Sequence, residues 1–218
     1  MTEHHVVRAP SHVAPPVVEY FSNIKYAAIF PILTASVKLD LPIENMCADI
    51  MQMAADAKNY EGGFTTYTNN LNIDHICGVR ELKEAIYGAA CTFGRELKYD
   101  CNYDHCSIQL WVNVMRKGGY HQPHAHLHSV FSGTFYARTT ESTSPIVFLN
   151  PTQIYRSHDP MVKKGEAGPF TSEMLIIKPQ NNNLHLWPSW LYHMVPEMQD
   201  EGPRISLSFN VDFLPVEA

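Results

Sequence analysis

Apolar positions along the chain change their spacing near residue 105. Before it, they recur at three and four. In "PIENMCADIMQMAADAK" (42–58), Ile43, Met46, Cys47, Ile50, Met53 and Ala54 fall on one side of a helix. Pro42 suits the first turn, where its missing N–H costs nothing. The same spacing predicts a second helix from Arg80 to Lys98, with Leu82, Ala85, Ile86, Ala89, Ala90, Phe93 and Leu97 as its apolar face. Gly88 and Gly94 weaken that helix. After Asp104 the period becomes two. "SIQLWVNVM" (107–115) alternates, and "SVFSGTFYA" (129–137), "PIVFLN" (145–150), "EMLIIKP" (173–179), "NLHLW" (183–187) and "RISLSFNVDF" (204–213) follow as short strands between Gly, Pro and Asn. Two helices and then a run of strands predict an α+β chain, mainly β, whose second half is a β-sandwich or jelly roll.

The remaining segments carry weaker patterns. "IKYAAIFPILTASVKL" (24–39) holds β-branched residues broken by Pro31 and predicts one or two short strands. The stretch "YEGGFTTYTNNLNID" (60–74) reads as a loop. Residues 151–172, polar and strand-poor, form a connection long enough to act as a lid or binding loop. Residues 1–20 are proline-rich and unpatterned, so they are expected to be an extended N-terminal arm before a single domain over 21–218.

Composition narrows the function classes. With 218 residues, 45% of them hydrophobic, the chain can bury a sizeable core. Its net charge of −6 gives no basic footprint for nucleic acid. The first twenty residues lack an apolar core of signal-peptide length, and no run approaches membrane-spanning length. A soluble, cytoplasmic protein with no nucleic-acid or membrane partner is therefore expected, with a homodimer as the default assembly. The five cysteines (47, 77, 91, 101 and 106) are odd in number and scattered, which predicts free, mostly buried thiols.

Candidate chemistry concentrates in "GYHQPHAHLHSVFSGTFY" (119–136), where four of the twelve histidines occupy 121, 124, 126 and 128. Neutral imidazole is a good transition-metal ligand. In a strand, His124, His126 and His128 would share a face. Alternatively, they are a polar cluster near a loop. A distant partner is available in "LWPSWLYHMV", at His193. Eleven residues on, Arg204, Ser206 and Ser208 share one face of a strand whose other face is Ile205, Leu207 and Phe209. An arginine in so apolar a strand is costly to bury unless it meets a negative charge. Either an acidic neighbour supplies that charge, or a ligand carboxylate does.

Together, "HAH" (124–126), "SGTFY" (132–136), "PSWLYH" (188–193) and "RISLSFN" (204–210) resemble the Fe(II)/2-oxoglutarate-dependent oxygenases, nearest to a bacterial and phage group related to prolyl hydroxylases. The resemblance spans most of residues 24–213. It implies a double-stranded β-helix (jelly roll) with N-terminal helices packed on its outside, and Fe(II) held by His124 and His193. It also implies that Arg204 binds the distal carboxylate of 2-oxoglutarate, helped by Tyr136 and Ser206, with Asn113 as a further co-substrate contact. O2 is the second co-substrate, and the products are succinate, CO2 and a hydroxylated protein side chain or small molecule. The chain departs from the family at position 126, where a carboxylate is usual and His126 stands. A three-histidine set of His124, His126 and His193 is expected, with His121 and His128 beside the site or facing solvent.

Two other readings compete. A cupin-type three-histidine metalloenzyme would need neither Arg204 nor 2-oxoglutarate; Gly118 and His124-x-His126 fit part of its pattern, but the glutamate expected shortly after is replaced by Val130 and Phe131. A non-enzymatic jelly-roll binding module would hold a structural metal or none, and structural zinc sites close with four ligands. Trp187, Trp190 and Tyr192 read mainly as packing residues, with Trp190 or Tyr192 as a candidate floor for a substrate entrance.

Overall fold

The computed structural model describes residues 25, 28, 30–55, 62–68, 71–101, 106–162, 165–168 and 170–213. Contacts group residues 1–32 apart from residues 33–218. The arm expected over 1–20 lies outside the described residues. Among the described residues of 33–218, the elements are β1 (Ala35–Lys38), α1 (Ile43–Met53), β2 (Gly63–Thr65), α2 (Val79–Glu96), β3 (Cys106–Met115), β4 (His121–His124), β5 (Phe131–Arg138), β6 (Ile146–Leu149), β7 (Met174–Ile177), β8 (Asn183–Pro188), β9 (His193–Val195) and β10 (Arg204–Phe213).

The strands form two antiparallel sheets, one of six strands in the order β1-β8-β5-β10-β3-β2 and one of four in the order β4-β9-β6-β7. From β3 onward the chain crosses between them repeatedly: β3, β5, β8 and β10 belong to the first, and β4, β6, β7 and β9 to the second. The centre of the larger sheet is β10, paired with β3 from Phe213↔Cys106 to Arg204↔Met115 and with β5 on its other side.

Alternation decides what each face of that sheet meets. Val112, Val114, Phe131, Phe135, Leu184, Leu186, Ile205, Leu207 and Phe209 share one core with Met46 and Ile50 of α1 and Leu82, Ile86 and Phe93 of α2. Both helices thus lie against the outer face of the six-stranded sheet, as expected. The opposite face carries buried polar groups, among them Asn113, Thr134, His185, Arg204, Ser206 and Asn210. Gly133 makes one close approach possible: a Cβ there would lie 2.1 Å from the Phe209 ring.

Several expectations change. The region 24–39 yields one strand in its described part, at Ala35–Lys38. The stretch expected to be loop contains β2, three residues that pair with β3 at Gly63↔Met115. β4 and β9 went unforeseen because each is three or four residues long, too short to show a period, and each is held by pairing with distant strands, β4 with β9 and β9 also with β6. The first helix is seen to Met53, and 56–58 lie outside the described residues. All five cysteines are free, Cys47 and Cys91 buried and the other three half-buried.

Candidate metal centre and co-substrate cavity

His124 closes β4 and His193 opens β9, and the two are direct partners across that antiparallel pair. His126 lies two residues beyond the strand, in a turn closed by Ser129 N–H donating to the His126 carbonyl (3.2 Å). The His126 N–H donates to the Ser189 carbonyl (2.9 Å), tying this turn to the segment that leads into His193. One ligand nitrogen from each of His124, His126 and His193 lies within 4.8 Å of the other two. The expected shared strand face for 124, 126 and 128 does not form. Pairing ends at His124, and the turn that brings His126 back toward His193 leaves His128 exposed.

Hydrogen bonding readies two of these rings for a metal. His124 Nδ1 lies 2.7 Å from the Gln122 carbonyl, and His193 Nδ1 lies 3.0 Å from the Leu191 carbonyl. A carbonyl can only accept, so each Nδ1 carries the proton and each Nε2 keeps a lone pair. Burial, helped by the neighbouring imidazoles, holds His126 down at about 4 and His193 at about 3, so both imidazoles are neutral at pH 7.

The histidines border a cavity of about 710 Å³ that also reaches Arg204, Asn113, Ser208, Thr134, Trp111 and Trp187. Arg204 is 3% exposed. Its Nη1 donates to Ser206 Oγ (3.1 Å), its Cζ sits 5.0 Å from the Tyr136 ring centroid, and its Nε has no partner. The ion pairs found among the described residues all join other side chains. No carboxylate is among the described residues lining the cavity. Among the described residues Arg204 is thus a buried cation without a counter-charge, and none of them makes it half of a structural salt bridge.

Tyr136 is fully buried beside it with an unpartnered hydroxyl. Burial raises its pKa, and the Arg204 charge pulls the other way. Ser206 is committed to the guanidinium, and Asn113 Nδ2 donates to Ser208 Oγ (3.0 Å). Ser206 therefore holds Arg204, while Asn113 faces the cavity directly.

His121 is a cavity-lining residue whose role the sequence left open. Burial first, then Arg204, lowers its pKa to about 4. The aromatic side chains expected to floor an entrance, Trp190 and Tyr192, do not line the cavity; Tyr67, Trp111, Tyr120 and Trp187 do. Trp111 could have been found, since it precedes Asn113 by two on the same strand face. Tyr67 and Tyr120 sit outside any periodic segment and give no such signal.

Three converging imidazoles and a buried arginine open on one cavity of a mainly β protein, a candidate site for a metal ion and a carboxylate. Residues 109–210, which run from β3 into β10, match the family described as "Putative 2OG-Fe(II) oxygenase". The matched stretch is a little under half of the chain, and over it the chain is similar to that family. Solved structures share the fold at low identity. A Pseudomonas putida prolyl-4-hydroxylase is 11% identical over 84% of this chain and 88% of its own, with a TM-score of 0.53. HygX from Streptomyces hygroscopicus, solved with nickel and 2-oxoglutarate bound, is 10% identical over 83% of each chain, with a TM-score of 0.52. The chain spans half the length of a 2OG-Fe(II) oxygenase family oxidoreductase from Burkholderia pseudomallei (14% identity, 55% of this chain, 50% of that one, TM-score 0.39). No curated protein sequence matches the chain. No helix among the described residues is long and apolar enough to cross a membrane.

Proposed function

We propose that the chain is a 2-oxoglutarate-dependent Fe(II) dioxygenase that hydroxylates a C–H bond of a protein side chain or a small molecule, built on a double-stranded β-helix formed by β3 to β10. The observation that carries this reading is the buried Arg204, without an acidic partner among the described residues, opening on the same cavity as three converging imidazoles. A cupin-type centre or a structural metal site would give that guanidinium no counter-charge.

The residues fit the groups they would hold. His124, His126 and His193 would hold Fe(II), and two of the three already have their Nδ1 protons committed to carbonyls. Three neutral imidazoles leave the ion's two charges unreduced, so a dianionic co-substrate is favoured electrostatically where a carboxylate ligand would have taken one charge away. When bound, the metal with 2-oxoglutarate and O2 supplies C–H oxidation with release of succinate and CO2. The chain's part is binding and orientation. Arg204 Nε and the Tyr136 hydroxyl, both unpartnered, would donate to the distal carboxylate, while Ser206 fixes the guanidinium plane. Asn113, braced by Ser208, would orient the co-substrate from β3. Trp111, packed 4.9 Å from Tyr67 between ring centroids, gives the cavity an aromatic wall.

The test begins with anaerobic addition of Fe(II) and then 2-oxoglutarate, followed by the visible charge-transfer band of a 2-oxo acid chelated to Fe(II). Admission of O2 should then yield succinate. His126→Ala should lower bound iron; retention of full iron occupancy would reduce the metal set to two histidines. A protein that binds Fe(II) but gives neither band nor succinate would overturn the function.

A further inference from the structure

Hydrogen bonds orient the rings of His124 and His193 through their Nδ1 atoms. Among the described residues no side-chain hydrogen bond does the same for the ring of His126. The place of that ring therefore depends on its main chain, which has left β4 and turns before β5 begins. One residue bridges the two ends of the turn. Ser189 accepts the His126 N–H at its carbonyl (2.9 Å) and donates its own N–H to the Val130 carbonyl (3.1 Å). Ser189 itself sits in the turn between β8 and β9, closed by Leu191 N–H donating to the Pro188 carbonyl (2.9 Å). Both turns carry the chain from one sheet to the other, and Ser189 ties them together.

Such a tie is only as firm as the residue that makes it. Ser189 is fully buried, and its hydroxyl lies 2.8 Å from Ser132 Oγ. Ser132 Oγ donates to Asn210 Oδ1 (2.9 Å), and Asn210 Nδ2 donates to Gln109 Oε1 (3.4 Å). A hydroxyl carries one proton, and an amide oxygen can only accept. The Ser132 proton is thus committed to Asn210, and the Ser189 hydroxyl must donate to Ser132. These side chains form a row as well as a sequence of bonds. Ser132 on β5 stands opposite Asn210 on β10, which stands opposite Gln109 on β3. Opposite residues share a sheet face, so the row fastens Ser189 to three adjacent strands of the larger sheet.

We infer that Ser132 is a positioning residue for the metal centre, holding Ser189 and through it the main chain of His126, a role that rests on the reading of His126 as a ligand. Without the Ser132 hydroxyl, the Ser189 hydroxyl and Asn210 Oδ1 lose their shared partner inside the protein. Buried polar groups left without a partner are costly, so the turn relaxes toward an arrangement that satisfies them. His124 keeps its Gln122 carbonyl, and His193 keeps its Leu191 carbonyl and its place in β9 between β4 and β6. The disturbance should fall on one imidazole of the three.

Equilibrium dialysis of the full chain against Fe(II) alone, without air or 2-oxoglutarate, tests this. Ser132→Ala should weaken Fe(II) binding about tenfold, the lower end of what residues orienting metal ligands contribute. Ser189→Ala removes the same bond from the other side and should give the same loss, and the double variant should bind no more weakly than either single one. In a His126→Ala background, Ser132→Ala should leave Fe(II) binding nearly unaltered, because its route to the metal is cut. A general weakening of the fold would lower binding equally with and without His126. Circular dichroism of the metal-free proteins identifies those that fold. Should Ser132→Ala not fold, Ser189→Ala with and without His126→Ala carries the same comparison. Wild-type Fe(II) binding in either serine variant, or an equal fall in both backgrounds, would overturn the inference and leave the three-histidine set intact. Unchanged Fe(II) binding in His126→Ala would instead remove the ligand, and the positioning role with it.

Discussion

The two faces of the six-stranded sheet are built on opposite principles although they share every strand. On β10, Ile205, Leu207 and Phe209 are fully buried in the core shared with the helices, while Arg204 and Ser206, also buried, lie on the opposite face, where Arg204 lines the cavity. The helix face is redundant: many apolar side chains contribute non-directional burial, and none has a partner that only it can serve. The cavity face is sparse and directional. The polar groups there meet particular partners, as Asn113 meets Ser208 and Arg204 meets Ser206. The stability of the fold and its chemistry are therefore separable within single strands.

The separation should break most visibly at Arg204. Arg204→Met keeps much of the volume and removes the guanidinium. Losing one side of a buried charge pair costs about 2–5 kcal/mol, so 2-oxoglutarate binding should weaken by about 30-fold or more, read by titration of the Fe(II) complex. Iron content should stay near wild type. The melting temperature without co-substrate should hold or rise, because an uncompensated buried charge has been removed. Equal loss of iron and co-substrate would mean that the residue supports the whole cavity rather than one ligand.

Leu207→Ala probes the other face, three residues along the same strand. It deletes a fully buried side chain from the helix-covered core and should cost about 2–5 kcal/mol of stability by denaturant unfolding. The affinity of the remaining folded protein for 2-oxoglutarate should change little. A large change in affinity would couple the two faces and remove the distinction.

Much of this division was legible in the sequence. Period two in "RISLSFNVDF" separated Arg204 and Ser206 from Ile205 and Leu207, and the two helical stripes lie on the apolar side as their spacing required. The histidines were harder. A strand face shared by 124, 126 and 128 was a sound deduction from spacing, but His126 reaches the centre through a turn anchored on Ser189, sixty-three residues away. Such an anchor is a tertiary contact with no local pattern. The same holds for the cavity wall, where Tyr67 arrives on the segment after β2, a strand that exists only because β3 pairs with it. Long amphipathic elements declare themselves; short strands and turns fixed by distant partners do not.

The smallest expected effect gives the sharpest comparison, because its two readouts move in opposite directions. Tyr136 lies on the cavity face with a buried hydroxyl that meets no partner, beneath the Arg204 guanidinium. An unsatisfied buried hydroxyl costs roughly 1–3 kcal/mol. Tyr136→Phe removes it without opening a void, so the protein free of co-substrate should be as stable as the wild type or more stable by about 1 kcal/mol. If that hydroxyl donates to the distal carboxylate of 2-oxoglutarate, its loss should weaken co-substrate binding by about tenfold, since a hydrogen bond to a charged group contributes about 1.5–3 kcal/mol. A tyrosine that serves only as packing predicts the gain in stability with unchanged binding. A residue of the helix-facing core predicts a loss of stability instead. Stabilisation of the free protein together with weaker 2-oxoglutarate binding is the combination that only a preorganised, ligand-awaiting hydroxyl produces.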